Sequence, residues 1–92
     1  MFTLDDLLQG NEGKLRLHCE NRPEGGHVFH GAQHDSRLLE PGDLFVAIKG
    51  ARVDGHSFIP AAARAGAGGA LCMEPSSEVP PDFLQIVAPD VI

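Results

Sequence analysis

The chain has 92 residues, 42% of them hydrophobic, with five Phe and neither Trp nor Tyr, so it can build one modest core, mostly of Leu, Ile, Val and Ala. A formal net charge of −6 argues against a general nucleic-acid binder, which needs a basic surface, but leaves room for one bound nucleotide. No run approaches the ~20 apolar residues of a membrane span, and the acidic start Met1-Phe2-Thr3-Leu4-Asp5-Asp6 lacks the basic n-region of a signal peptide; no membrane insertion and a cytoplasmic location are expected.

Residues 3–9 are predicted to form a short helix. Thr3 is the expected N-cap, Asp6 completes a capping box, Leu4, Leu7 and Leu8 share a stripe, and Gly10 is the stop. Residues 14–19 alternate as a half-buried strand, residues 21–26 read as a loop, and residues 27–36 as a second strand of irregular polarity. Glu40-Pro41-Gly42-Asp43 has the Pro-Gly centre of a type II turn. The run Leu44-Phe45-Val46-Ala47-Ile48 is apolar at every position, as in a central strand covered on both faces. Residues 57–65 give the clearest helix, with Ser57 as N-cap, Pro60 in the first turn, and Phe58, Ile59, Ala62 and Ala65 on its buried face. Gly66 ends it; residues 69–73 and 83–87 are further strands around a Pro-rich loop at 74–82. Cys19 and Cys72 sit in apolar runs and are expected as buried thiols. Together these elements predict an α/β domain with a mixed sheet of about five strands flanked by short helices.

Three tempting chemistries fail on spacing. His34, Asp35 and Ser36 are consecutive, so in an extended segment they point to alternating faces and cannot converge as a hydrolase triad. Gly66-Ala67-Gly68-Gly69 lacks the third glycine of a dinucleotide loop and follows a helix, so it reads as a helix end and turn. His27, His30 and His34 are spaced like metal ligands, but zinc needs three or four converging donors and His27 falls on the opposite strand face; no metal site is expected. No G-x-x-x-x-G-K-[ST] phosphate loop occurs anywhere.

One constellation is more specific. Asp35-Ser36-Arg37, Pro41-Gly42-Asp43-Leu44-Phe45-Val46-Ala47-Ile48, Gly50, Asp54-Gly55-His56, Phe58-Ile59, Ala62 and Gly66-Ala67 resemble, at fixed spacing over about a third of the chain, the N-terminal domain of the Mur ligases. The segment from Gly50 to His56 looks closer to the branch that adds D-alanyl-D-alanine to a UDP-N-acetylmuramoyl-tripeptide than to the branch that adds the third stem residue. The resemblance implies that residues 1–88 hold the UDP end of a UDP-N-acetylmuramoyl-peptide, and that residues 89–92 begin a linker to an ATPase domain. It further implies two more domains of the same polypeptide, ATP and Mg2+ bound outside this chain, and no catalytic residue within it. The whole enzyme would phosphorylate the substrate's terminal carboxylate for attack by the incoming amine.

By position, the family's UDP contacts fall on His34, Ser36, Ala51, Arg52 and Val53, with Asp35, Arg37, Gly50, Asp54 and His56 in support. Relatives more often carry Thr or Leu at the place of His34, so a backbone contact is implied there. The chemistry suits these positions. A pyrophosphate offers only acceptors, while Ser36 has a hydroxyl, Arg52 a guanidinium fork, and Gly50 lets the backbone approach closely. A helix starting near Ser57 would add positive character if it faced the site. Two bland readings stand beside this one: an α/β interaction module without a ligand, and a small domain binding metal through its histidines. For single residues, Asp35 and Arg37 can simply pair at the strand end, and Asp54 and His56 can simply shape a loop.

Overall fold

A computed structural model describes residues 1–9, 15–19, 27–48 and 54–89. The chain runs β1 (Phe2–Thr3), α1 (Leu4–Gln9), β2 (Arg16–His18), β3 (Val28–Phe29), β4 (Ala32–Gln33), β5 (Leu44–Val46), a 3-10 turn (Gly55–Phe58), α2 (Ile59–Arg64), β6 (Gly69–Cys72) and β7 (Gln85–Val87). Five strands form one sheet in the order β2-β7-β6-β5-β4. Strands β4, β5, β6 and β7 run parallel to one another, and β2 is antiparallel to β7. The expected small α/β domain with a mixed sheet is therefore what forms.

Period-2 alternation sends neighbouring side chains to opposite faces, and here both faces are covered. Phe45, Ala70, Cys72 and Val87 pack with Ile59 and Ala62 of α2. Leu44 and Ile86 pack with Leu4 of α1 and Phe29. This two-sided burial explains the apolar run at 44–47; the strand itself ends at Val46, and Ile48, expected to be covered, is 37% exposed. That strand is nonetheless second from the edge; the middle strand is β6.

Local signals worked where the interaction is local. Thr3 Oγ1 accepts from the Asp6 N–H at 3.1 Å and Asp6 Oδ2 accepts from the Thr3 N–H at 2.9 Å, so the capping box closes. Asp43 N–H donates to the Glu40 carbonyl at 3.0 Å with Gly42 at φ +88°, the expected type II turn. The predicted stop at Gly10 and loop at 21–26 lie outside the described residues.

Other expectations are corrected. Residues 27–36 are not one strand: Val28–Phe29 pairs with β1 in a separate antiparallel ribbon, and Ala32–Gln33 joins the main sheet. Each half follows a different partner, which accounts for the irregular polarity. Ser57 is not an N-cap. Asp54 caps the 3-10 turn through its side chain, while Ser57 Oγ donates to the Asp54 carbonyl at 2.8 Å. Helix α2 starts two residues later than expected, with Phe58 at its N-cap and no side-chain cap bond. Phe58 (41% exposed) and Ala65 lie off the buried face. Cys72 is buried, but Cys19 is only half-buried, and neither is in a disulfide.

Candidate functional site

The parallel register places Gln33 beside Phe45, so β4 and β5 end on the same edge of the sheet. Ligands of parallel α/β sheets commonly bind outside these carboxyl ends. From β4 the chain enters the segment His34-Asp35-Ser36-Arg37; beyond β5 the described chain runs to Ile48 and resumes at Asp54.

The first segment is a tight turn. Leu38 N–H donates to the Asp35 carbonyl at 3.0 Å. Asp35 Oδ1 accepts from the Arg37 N–H at 2.9 Å and from Nε at 3.1 Å, while Oδ2 accepts from Nη2 at 3.0 Å. The Arg37 side-chain hydrogen bond, followed by its backbone one, holds the Asp35 carboxyl below its ordinary value, and the same pairing raises Arg37. The Arg37 side chain is 87% exposed, and such surface pairs are easily rearranged. The Ser36 hydroxyl makes no hydrogen bond to any described residue. His34 to Arg37, together with Phe58, line a hollow of about 410 Å³, within the usual range for small-ligand sites.

The second segment has well-defined feet. Gly55 N–H donates to the Ile48 carbonyl at 2.8 Å. A Cβ on Gly55 would lie 2.7 Å from the Ile48 nitrogen and 2.8 Å from its oxygen, so only glycine permits this approach. Next to it, Asp54 Oδ1 lies 2.7 Å from His56 Nδ1, and His56 Nε2 lies 3.0 Å from the Met73 nitrogen. Gly50, Ala51, Arg52 and Val53 themselves lie outside the described residues.

The helix-start contribution expected near Ser57 does not materialise. The His56 and Ser57 N–H groups are already bonded to Asp54, at 3.0 and 3.1 Å, and α2 has only six residues. The histidines part company: His27 Nε2 meets the Gly68 carbonyl at 3.0 Å, the His30 ring covers Gly42, and His34 faces the hollow. Among the described residues no three His, Cys, Asp or Glu side chains are grouped to hold a metal ion. A separate hollow of about 470 Å³ touches Arg64, Glu78, Asp82 and Phe83. Its two carboxylates against one guanidinium suit an anionic ligand less well than a turn whose single carboxylate is already neutralised by Arg37.

Sequence reasoning assigned Phe58 to the core and missed it as a wall of the Ser36 hollow. No signal in the sequence marked it, because Ser57 offers itself as the N-cap and Phe58 then falls on the apolar stripe.

Residues 28–92 match the family model described as "Mur ligase family, catalytic domain". The chain is 43% identical over 89 residues to UDP-N-acetylmuramoyl-L-alanyl-D-glutamate–2,6-diaminopimelate ligase of Chlorobaculum tepidum, covering 95% of this chain and 17% of that protein. It is 43% identical over 67 residues to UDP-N-acetylmuramoyl-tripeptide–D-alanyl-D-alanine ligase of Treponema pallidum, covering 73% of this chain and 14% of that protein. Among solved structures, MurF from Acinetobacter baumannii aligns with a TM-score of 0.76 and 30% identity over 98% of this chain and 18% of that one. In each case the chain spans less than a fifth of the relative's length.

Proposed function

This chain belongs to the Mur ligase family, with the fold of its N-terminal region, and we propose that it holds the UDP end of a UDP-N-acetylmuramoyl-peptide for an amide-forming ligase of peptidoglycan precursor synthesis. The observation that carries this reading is the hollow at the carboxyl edge of β4 and β5, where the uncommitted Ser36 hydroxyl and the exposed Arg37 guanidinium flank a neutralised Asp35. A diphosphate needs donors, and each hydrogen bond to such a charged group contributes about 1.5–3 kcal/mol. In this reading His34 and Ser36 contact the nucleotide directly. Ala51, Arg52 and Val53 join them from the loop whose feet are Ile48 and Gly55, with Gly50, Asp54 and His56 shaping that loop. Residues 1–88 act as the binding domain and 89–92 lead toward the rest of a cytoplasmic enzyme.

Such a domain makes no bonds. It supplies remote binding energy that fixes the far end of a long substrate. ATP with Mg2+ would activate the substrate's carboxylate in the full enzyme. The residues here do not fit that pair, because the sequence has no G-x-x-x-x-G-K-[ST] loop and the described residues group no metal ligands. No step through them is assigned to this chain.

The wording of residues 50–56 and the likeness to MurF favour the ligase that adds D-alanyl-D-alanine to the tripeptide. The 43% identity over 95% of the chain to a 2,6-diaminopimelate ligase favours the one adding the third residue. Offering the full enzyme each muramoyl-peptide with each amine separates the two. For the domain itself, titrating UDP into the 15N-labelled chain tests the reading. Amide shifts clustered at His34, Ser36 and residues 50–54 are expected; their absence at millimolar UDP overturns it.

A further inference from the structure

The fate of the five phenylalanines is uneven. Phe45 and Phe29 are core residues, and Phe83 and Phe2 pack against the same two clusters. Phe58 belongs to neither cluster and is 41% exposed. An exposed Phe alone is unremarked on most surfaces, but this one lines the hollow that contains Ser36 and Arg37. It does so from the last position of the 3-10 turn, which Asp54 caps and which runs directly into α2.

We propose that Phe58 is the platform on which the nucleobase of the bound nucleotide stacks. The inference rests on the nucleotide reading above and adds a residue to it. A uracil ring is flat and half-apolar, and it needs a dry face as well as donors for its phosphates. Ser36 can serve the charged end, and so can Arg37, whose guanidinium is already paired edge-on with the Asp35 carboxylate. Phe58 supplies that face in the same hollow, and its neighbours Ile59 and Ala62, both fully buried, anchor the turn from which it projects. Stacking tolerates any base, so Phe58 contributes affinity without choosing uracil; it should act on CDP as it does on UDP.

The test uses UDP with the chain and three variants. On binding the wild type, the uracil H5 and H6 resonances should move upfield in the ring current of Phe58. Phe58→Ala should lose these shifts and weaken UDP and CDP alike by roughly five-fold or more, the scale of one base–aromatic stack. Phe58→Tyr and Phe58→Trp should restore binding, and because the chain has no Trp, the second variant should show UDP-dependent quenching of a single fluorophore. Base resonances that stay put, or a Phe58→Ala affinity within two-fold of wild type, overturn the inference while amide shifts at Ser36 keep the nucleotide reading intact. Equal loss in all three variants also overturns it, since a stacking platform needs only a ring. No amide shift at Ser36 in the wild type removes the nucleotide reading itself, and Phe58 with it.

Discussion

Asp54 and His56 form a clamp at the start of the 3-10 turn that leads into α2. Asp54 Oδ1 lies 2.7 Å from His56 Nδ1, and Nε2 of the same ring accepts from the Met73 N–H at 3.0 Å. An amide can only donate, so Nε2 is the acceptor nitrogen and the ring proton sits on Nδ1, facing Asp54. The clamp ties the 3-10 turn to the end of β6, a strand nearly twenty residues away. His56→Ala should destabilise the chain by about 1–3 kcal/mol, because it strips partners from the Met73 N–H and from Asp54. It should also weaken UDP by loosening the loop; denaturant unfolding and the UDP titration check the two parts.

Gly55→Ala should be among the most damaging single-methyl changes. Its Cβ would meet two backbone atoms of Ile48 below 3.0 Å, and backbone cannot swing aside. A loss of about 1–3 kcal/mol is expected from overpacking. Gly31→Ala is the control. Its nearest obstacle is the Asp43 side chain at 3.3 Å, so its cost in the same urea melts should be clearly smaller.

Ser36→Ala should separate binding from folding. The hydroxyl has no partner among the described residues, so stability should change by less than about 0.5 kcal/mol. Loss of one charged hydrogen bond should weaken UDP by roughly ten-fold or more. In the full enzyme the Michaelis constant for the UDP substrate should rise with turnover little changed. A collapse of turnover with intact affinity would place Ser36 in a different role.

Acid should undo the turn at Asp35. Its folded carboxyl titrates below the ordinary aspartate value, first through the Arg37 side-chain hydrogen bond and then through the backbone one. A depressed value means the pairing stabilises above the unfolded pKa and is lost as pH falls through the folded one. Arg37→Gln should move the Asp35 midpoint upward. Carboxyl 13C titration reads this directly; an unmoved midpoint would show that Arg37 is not the cause.

The two thiols should differ in reactivity. Cys72 is fully buried, and burial pushes its thiol up to about 11, leaving little thiolate at pH 8. Iodoacetamide at that pH should modify the half-buried Cys19 first and reach Cys72 only after unfolding. Peptide mass mapping before and after denaturant distinguishes the sites.

Gln85 shows how far the sequence could be read. It is 2% exposed at the first position of β7, within the segment 83–87 that the sequence marks simply as a strand. Its amide is fully used: Oε1 accepts from the Ser76 N–H at 2.6 Å and Nε2 donates to the Ser76 carbonyl at 3.0 Å. Nothing near Gln85 in the chain announces that partner. The split of residues 27–36 has the same origin, since Phe29 answers to Phe2 and Gln33 to Phe45.

The amino-acid order by itself determined the Thr3–Asp6 cap, the turn at Gly42, the covered run at 44–47 and the polar loop at 74–82. Each depends on groups a few residues apart or on a periodicity carried within one segment. Tertiary structure alone decided which sheet each short strand joined, that Phe58 faced outward beside Ser36, and that His56 reached Met73. Those outcomes depend on partners brought close only by folding, and a local pattern can mark a face as apolar without saying what will cover it.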